Sequence, residues 1–195
     1  MPGFNIRKMK TQGGWSAGTA FIDMDDVEVP IENRVGDENV GFKIILENFN
    51  HERFAIAAHA LRSARLCIEE SVRYARQRKT FGKRLIDHQV IRFKIAEMVM
   101  KVESTFAYEE QVAYQMQQGT PNSKMGGPVA LLKVMATRTF EFCAREASQI
   151  FGGASYVREG QGAVVERLYR EVRGTAIYGG SEEIMLDLAM KQARL

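Results

Sequence analysis

An acid stands in the middle of an apolar helical stripe. Phe42, Ile45, Phe49, Ile56, Ala60 and Cys67 recur at spacings of three, four and seven, which is how one buried face of a helix reads. Glu52 lies three residues after Phe49 and four before Ile56, so the same geometry is expected to point it inward. A carboxylate there must be paired, neutralised or used. A carboxylate shielded from water is also a stronger base, which makes Glu52 the chain's best candidate for proton abstraction. A structural ion pair with Arg53 or another arginine is the commoner use of such an acid.

Three further junctions carry groups that can bind or polarise. Residues 76–82, from Arg76 to Gly82, form a cationic helix end that leads into a turn. Arg78 there could grip a pyrophosphate through its two-pronged guanidinium; a basic C-terminal cap is the ordinary reading. Gln149-Ile150-Phe151-Gly152-Gly153 reads as a helix stop, although two glycines also let a ligand approach the backbone. Ile177-Tyr178-Gly179-Gly180-Ser181-Glu182-Glu183-Ile184 is a turn entering a helix, and its free N–H groups could hold an oxyanion or a polarised carbonyl.

These junctions need a scaffold, and the composition supplies one. Hydrophobic residues make up 45% of the 195 residues, enough for a sizeable core, and the 26% of charged residues argues against disorder. The net charge of +3 is spread without a dense Lys/Arg run, so neither nucleic acid nor an anionic membrane is an expected partner. No apolar run reaches the length of a membrane span, and no signal peptide is visible. Cys67 and Cys143 have no second Cys or His at metal-ligand spacing. They read as small buried hydrophobes, and no metal site is expected.

The chain changes character near residue 40. Before it, residues 19–24 alternate like a half-buried strand and 27–29 continue the pattern. Two or three short strands do not make a stable sheet alone, so residues 1–38 are expected to be the end of a larger β domain. Residues 39–195 read as an α-helical bundle. Its first helix is expected over about 41–77 and its second over the stretch of Ile91, Ile95, Met98, Val102 and Phe106, ending near Gly119. A third starts around Pro128, a favourable first-turn residue, and stops at Gly152-Gly153. Two shorter ones follow, over about 160–172 and after Gly180. The fold class is mainly α, a bundle preceded by a β remnant.

Taken together, these blocks resemble the C-terminal part of the acyl-CoA dehydrogenase family. The matching residues are Lys10 to Gly13, Phe21 to Pro30, Asn48 to Arg53, Arg76 to Lys83, Asp87-His88-Gln89, Gln149 to Gly153 and Arg167 to Ile184. The resemblance implies an FAD enzyme that removes an α proton and a β hydride from an acyl-CoA thioester. The family places its glutamate base in one of two positions. One directly follows the tyrosine of the last loop, where this chain has Gly179; the other, on the first helix of the bundle, matches Glu52. By the same resemblance, the Gly179 N–H would polarise the thioester carbonyl. Asn50 and Arg53, with Tyr178 and Gly180, would contact the substrate.

Arg78, Thr80 and Phe81, with Gln89, would contact FAD, and Gln149, Gly152 and Gly153 would hold its ADP half across a dimer interface. Ser181 and Glu183 fall at further FAD positions, with Glu183 replacing a glutamine of some members. A homodimer or homotetramer and an electron-transfer flavoprotein as acceptor are implied too. The family's N-terminal helical domain and most of its middle β domain have no counterpart here. A non-catalytic helical interaction module and an acyl-CoA oxidase-like relative are therefore the competing readings. Ala193-Arg194-Leu195 fits the relaxed form of a peroxisomal tripeptide; a mitochondrial matrix or bacterial cytoplasmic home is equally compatible.

Overall fold

Between Phe42 and Gln77 there is neither glycine nor proline, and in the computed structural model, which describes residues 1–193, this stretch is one unbroken helix. That helix, α1 (Gly41–Gln77), ends where Arg78 turns to extended backbone. Ahead of it lie two antiparallel strands, β1 (Phe4–Lys8) and β2 (Ala20–Met24), with Ile6 opposite Ile22. After it, a two-residue hairpin of β3 (Lys79–Thr80) and β4 (Lys83–Arg84) leads into α2 (Gln89–Gln117). Helices α3 (Asn122–Phe151), α4 (Ala163–Ile177) and α5 (Glu182–Ala193) complete the bundle. Residues 27–29 do not continue the strand; Asp26 takes a left-handed backbone that ends the extended run.

Helix α3 is the axis of the molecule and packs against each of the other four helices. Its seam with α1 is built of small residues: Ala57, Ala60, Ala64 and Cys67 on one side, Ala136, Cys143, Ala144 and Ala147 on the other, all buried. Small side chains let the two helices approach closely, because interaxial distance follows side-chain size at the contact. Larger side chains fill the flanks. Burying Met98, Leu132 or Phe140 contributes about 1.5–3 kcal/mol each. A buried polar pair, Thr105 Oγ1 and Thr139 Oγ1 at 2.9 Å, joins α2 to α3, as does Glu146, which meets Lys94 and Arg145.

Pro128 does not start α3. The helix begins six residues earlier, at Asn122, and carries the proline inside. Tertiary packing overrides the helix-breaking tendency here. Gly126 and Gly127 let α5 come so close that a Cβ on Gly126 would meet Gln192 at 2.5 Å. The Gln192 side chain accepts from the Gly127 N–H, and the Tyr108 hydroxyl donates to the Pro128 carbonyl at 3.2 Å. Likewise α4 runs to Ile177, beyond the expected end near 172.

The β1–β2 hairpin touches the bundle through its loop. Gly13 lies so near α4 that a Cβ would stand 3.1 Å from the Arg170 carbonyl oxygen, and Trp15 stacks under the guanidinium groups of Arg170 and Arg158. Elsewhere Ile6, Phe21, Ile22 and Met24 are exposed, as is the start of α1 at Phe42, Ile44 and Ile45. Among the described residues no helix is long and apolar enough to cross a membrane. Arg194 and Leu195 of the C-terminal tripeptide lie outside the described residues.

Candidate active site

The inward orientation expected of Glu52 is not what the fold gives. Glu52 is exposed, and so are Phe42 and Ile45; Phe49 and Ile56 are half-buried. The buried stripe of α1 runs instead through Asn50, Arg53, Ala57, Ala60, Ala64, Cys67 and Ser71. The two sets share Ala60 and Cys67 and part ahead of them, where the buried positions Asn50, Arg53 and Ala57 each follow Phe49, Glu52 and Ile56 by one residue, roughly 100° around the axis. The first two turns of α1 are exposed, so the apolar residues there do not mark the core. Glu52 therefore stands on the open flank of α1, one turn from Ile56.

That flank is where the last turn arrives. Arg53, 8% exposed, donates from Nε to the Gly179 carbonyl at 2.9 Å, across 126 positions of sequence. Its guanidinium also lies 5.3 Å from the Phe49 ring centroid. Burial pulls the Arg53 pKa down, with the neighbouring Glu52 charge opposing. Gly179 has φ +71°, and a Cβ on it would come within 2.4 Å of Ile56 Cδ1. The geometry thus brings Glu52, Arg53, Ile56 and Gly179 to one place. The N–H groups of Gly179, Gly180 and Ser181 make no hydrogen bond among the described residues.

Two cations hold this turn, Arg53 and a lysine of α3 that lies outside the sequence motifs. Lys133 of α3 is fully buried; its Nζ donates to the Ala176 carbonyl at 2.5 Å and the Gly180 carbonyl at 2.8 Å. Desolvation pushes its pKa down, with Glu182 acting in the other direction. A lone lysine in the apolar run 129–136 was the available signal. Tyr178 is exposed, with its hydroxyl 3.3 Å from Thr175 Oγ1. The Glu183 carboxyl is held below the usual range by its own backbone N–H and by the Ser181 hydroxyl, an N-terminal cap of α5. The Asn50 amide is occupied elsewhere. It is buried and donates to the Asn122 carbonyl and Oδ1 at 3.0 and 2.6 Å.

The remaining candidates gather at the far end of α1. Tyr74 stacks on Phe151, with ring centroids 4.2 Å apart, which sets the α3 terminus beside the 78–84 hairpin. Gly152, with φ +58° and ψ −138°, adopts a backbone open only to glycine, and a Cβ on it or on Gly153 would meet nothing within 4 Å. Phe81 is 97% exposed on a left-handed backbone. Thr80 Oγ1 is 3.1 Å from His88 Nε2, and Arg78, Gln89 and Gln149 are exposed. A cleft of about 380 Å³ runs between Tyr74, Gln77, Arg78, Lys79 and Gln161. From residue 52 to residue 78 the helix covers roughly 39 Å at about 1.5 Å per residue. The two groups of candidates therefore lie far apart on one chain.

Comparison with known proteins places this geometry in context. Residues 39–193 match the family profile of the acyl-CoA dehydrogenase C-terminal domain. The chain is 43% identical over 195 residues to acyl-CoA dehydrogenase AFT10-1 of Alternaria alternata, covering 97% of this chain and 45% of that protein. It is 37% identical to acyl-CoA dehydrogenase apdG of Emericella nidulans, covering 98% and 44%. The crystal structure of acyl-CoA dehydrogenase from Geobacillus kaustophilus superposes with a TM-score of 0.92 at 30% identity, over 100% of this chain and 50% of that one. The chain spans about half the length of the curated relatives it matches.

Proposed function

Because the chain belongs to the acyl-CoA dehydrogenase family through its C-terminal domain, we propose that it is the C-terminal portion of an FAD-dependent enzyme that converts an acyl-CoA thioester to its 2-enoyl form, with Glu52 as base. Residues 1–38 are read as the end of the middle β domain. The observation that carries the site is the Arg53–Gly179 hydrogen bond of 2.9 Å, which sets a turn of free N–H donors beside the flank that bears Glu52. Glu52 takes the α proton onto its carboxylate. The Gly179 N–H donates to the thioester oxygen and stabilises the charge that develops there, in an oxyanion-hole role. FAD, when bound, supplies the acceptor for the β hydride. The exposed carboxylate then needs cover, which bound substrate and the rest of the protein would give, and water exclusion would strengthen it as a base.

The residues at the other end of α1 suit a dinucleotide. Arg78 offers a charged fork for a pyrophosphate, Phe81 an exposed ring, and Gly152-Gly153 an open backbone. The distance along α1 exceeds the reach of one FAD, so the ADP-binding end of one chain would serve the flavin whose reactive end lies beside Glu52 of a second. That argument supports a homodimer as the minimal unit, with an electron-transfer flavoprotein as acceptor. Recording the flavin spectrum of the full-length protein on addition of acyl-CoA tests the reading. Bleaching in the wild type and its loss in Glu52→Gln, with flavin content unchanged, is the expected result. Undiminished bleaching in the mutant would sink Glu52 as base; no flavin at all would favour a non-catalytic interaction module.

A further inference from the structure

We propose that Lys133 is a positioning residue for the 176–180 turn, an intramolecular tie that presents the turn's N–H groups to the substrate. Lysine is seldom fully buried unless its charge is paired, yet Lys133, at 0% exposure, has no carboxylate bonded to it among the described residues. Its partners are two backbone oxygens, Ala176 O at 2.5 Å and Gly180 O at 2.8 Å. The first belongs to the last turn of α4, whose carbonyls lack intrahelical partners and favour a cation. The second lies four residues on, at the second glycine of the pair. One ammonium therefore joins both ends of the turn and closes it, with Gly179 between them.

The closure has a directional consequence. In a trans peptide the N–H points opposite to the C=O that precedes it. With the Gly180 carbonyl bound to Lys133, the Ser181 N–H is turned away from α3; with the Gly179 carbonyl bound to Arg53, the Gly180 N–H is turned away from α1; the Gly179 N–H, anti to the Tyr178 carbonyl, is held only through these neighbouring peptides. Gly180 itself has φ +118°, a backbone that L side chains rarely adopt, and a Cβ there would stand 2.4 Å from the flexible end of Met185. Without Lys133, two shielded carbonyls lose their donor and Arg53 alone anchors the turn. The link to catalysis rests on reading Gly179 as the carbonyl-polarising position; the tie itself does not.

Hydrogen exchange and steady-state kinetics on full-length Lys133→Met test the two parts separately, with Leu132→Ala as a neighbouring core control. In Lys133→Met, amides of residues 176–184 are expected to exchange roughly tenfold faster than in the wild type, with the other segments nearly unchanged. The kcat falls by about tenfold or more while KM moves little, because the turn contributes geometry to the transition state. Leu132→Ala lowers stability without singling out that segment. Exchange in 176–184 that is unchanged, or raised no more than elsewhere, overturns the proposal. If Lys133→Met does not fold, wild-type protein labelled with 15N-lysine decides: one ammonium signal shielded from solvent exchange, lost in Lys133→Gln, supports the tie, and its absence overturns it. A wild-type enzyme that fails to bleach with acyl-CoA would refute the functional reading and leave the exchange result standing.

Discussion

Ile56 occupies the room that a side chain at Gly179 would need, its Cδ1 lying 2.4 Å from where that Cβ would fall. The two positions the family offers for a base are thus physically coupled in this chain. Moving the carboxylate from 52 to 179 meets both the isoleucine and a left-handed backbone, which costs an L-residue about 1–2 kcal/mol. In the double variant Glu52→Gln/Gly179→Glu, turnover is expected to stay about as low as in Glu52→Gln alone, roughly a hundredfold or more below wild type. Adding Ile56→Ala should recover part of it, as read by kcat with a saturating acyl-CoA. Full recovery without the third substitution would show that the room was already there.

The distance between the two ends of α1 makes a mixing experiment informative. A protein carrying Glu52→Gln lacks the base, and one carrying Arg78→Ala with Phe81→Ala lacks the proposed dinucleotide grip. Each alone should be nearly inactive. Refolded together, they form mixed dimers in which one site keeps both functions, so roughly a quarter of wild-type activity is expected from random pairing of two-fold dimers. No recovery would place the whole flavin site within one chain.

Lys133 carries a pH dependence whose sign follows from its burial. Its folded pKa lies below the ordinary 10.5, chiefly by desolvation, with Glu182 raising it and Arg53 and Arg173 lowering it further. The unfolded chain therefore holds this proton more tightly, and its stability cost is present below the folded value and relieved as pH rises through it toward 10.5. The unfolding free energy of the wild type, minus that of Lys133→Met, should increase with pH across that window. A neutral amine still donates to both carbonyls, so the turn should not loosen there. Urea titrations at several pH values read the difference directly; a flat difference would contradict the burial argument.

Trp15, the sole tryptophan, reports on the seam between hairpin and bundle. Arg170, whose guanidinium lies 4.5 Å from the Trp15 ring centroid, is held by Glu166 at 2.5 and 2.7 Å. That hydrogen bonding lowers the Glu166 pKa below its ordinary 4.5. Its stabilisation is thus complete above that value and lost as pH falls through the lower folded one. Trp15 emission should shift as pH is lowered below about 4.5, and Glu166→Gln should show the acid form's emission already at pH 7. Identical spectra for the two proteins at pH 7 would mean the seam does not depend on this pair.

The extent of α1 was legible because nothing between Phe42 and Gln77 interrupts a helix, whereas the start of α3 was not. Pro128 reads locally as a first-turn residue, and only the docking of Gln192 on Gly126 and Gly127 explains why the helix runs through it. For the site, the idea of an ionisable group on an apolar stripe was sound, yet it holds fully for Lys133 and not for Glu52. Periodicity reports an apolar face without saying what covers it. At the start of α1 the cover is not among these residues; around Lys133 it is the bundle itself. The family motifs pointed to Glu52 and Gly179 together; the bond that the fold forms there runs from Arg53, the residue beside Glu52, to Gly179.

The 37-residue span of α1 also constrains how this protein can vary. It acts as a rigid shaft with a different proposed task at each end, and a shaft transmits twist as well as length. One residue inserted between Arg53 and Tyr74 would rotate one end against the other by about 100° and lengthen the shaft by about 1.5 Å. The Arg53–Gly179 bond or the Tyr74–Phe151 stack would have to break. Insertions should therefore be tolerated in the loop after α2, around Gly119, and rejected along this helix, where register is shared by every element that touches it.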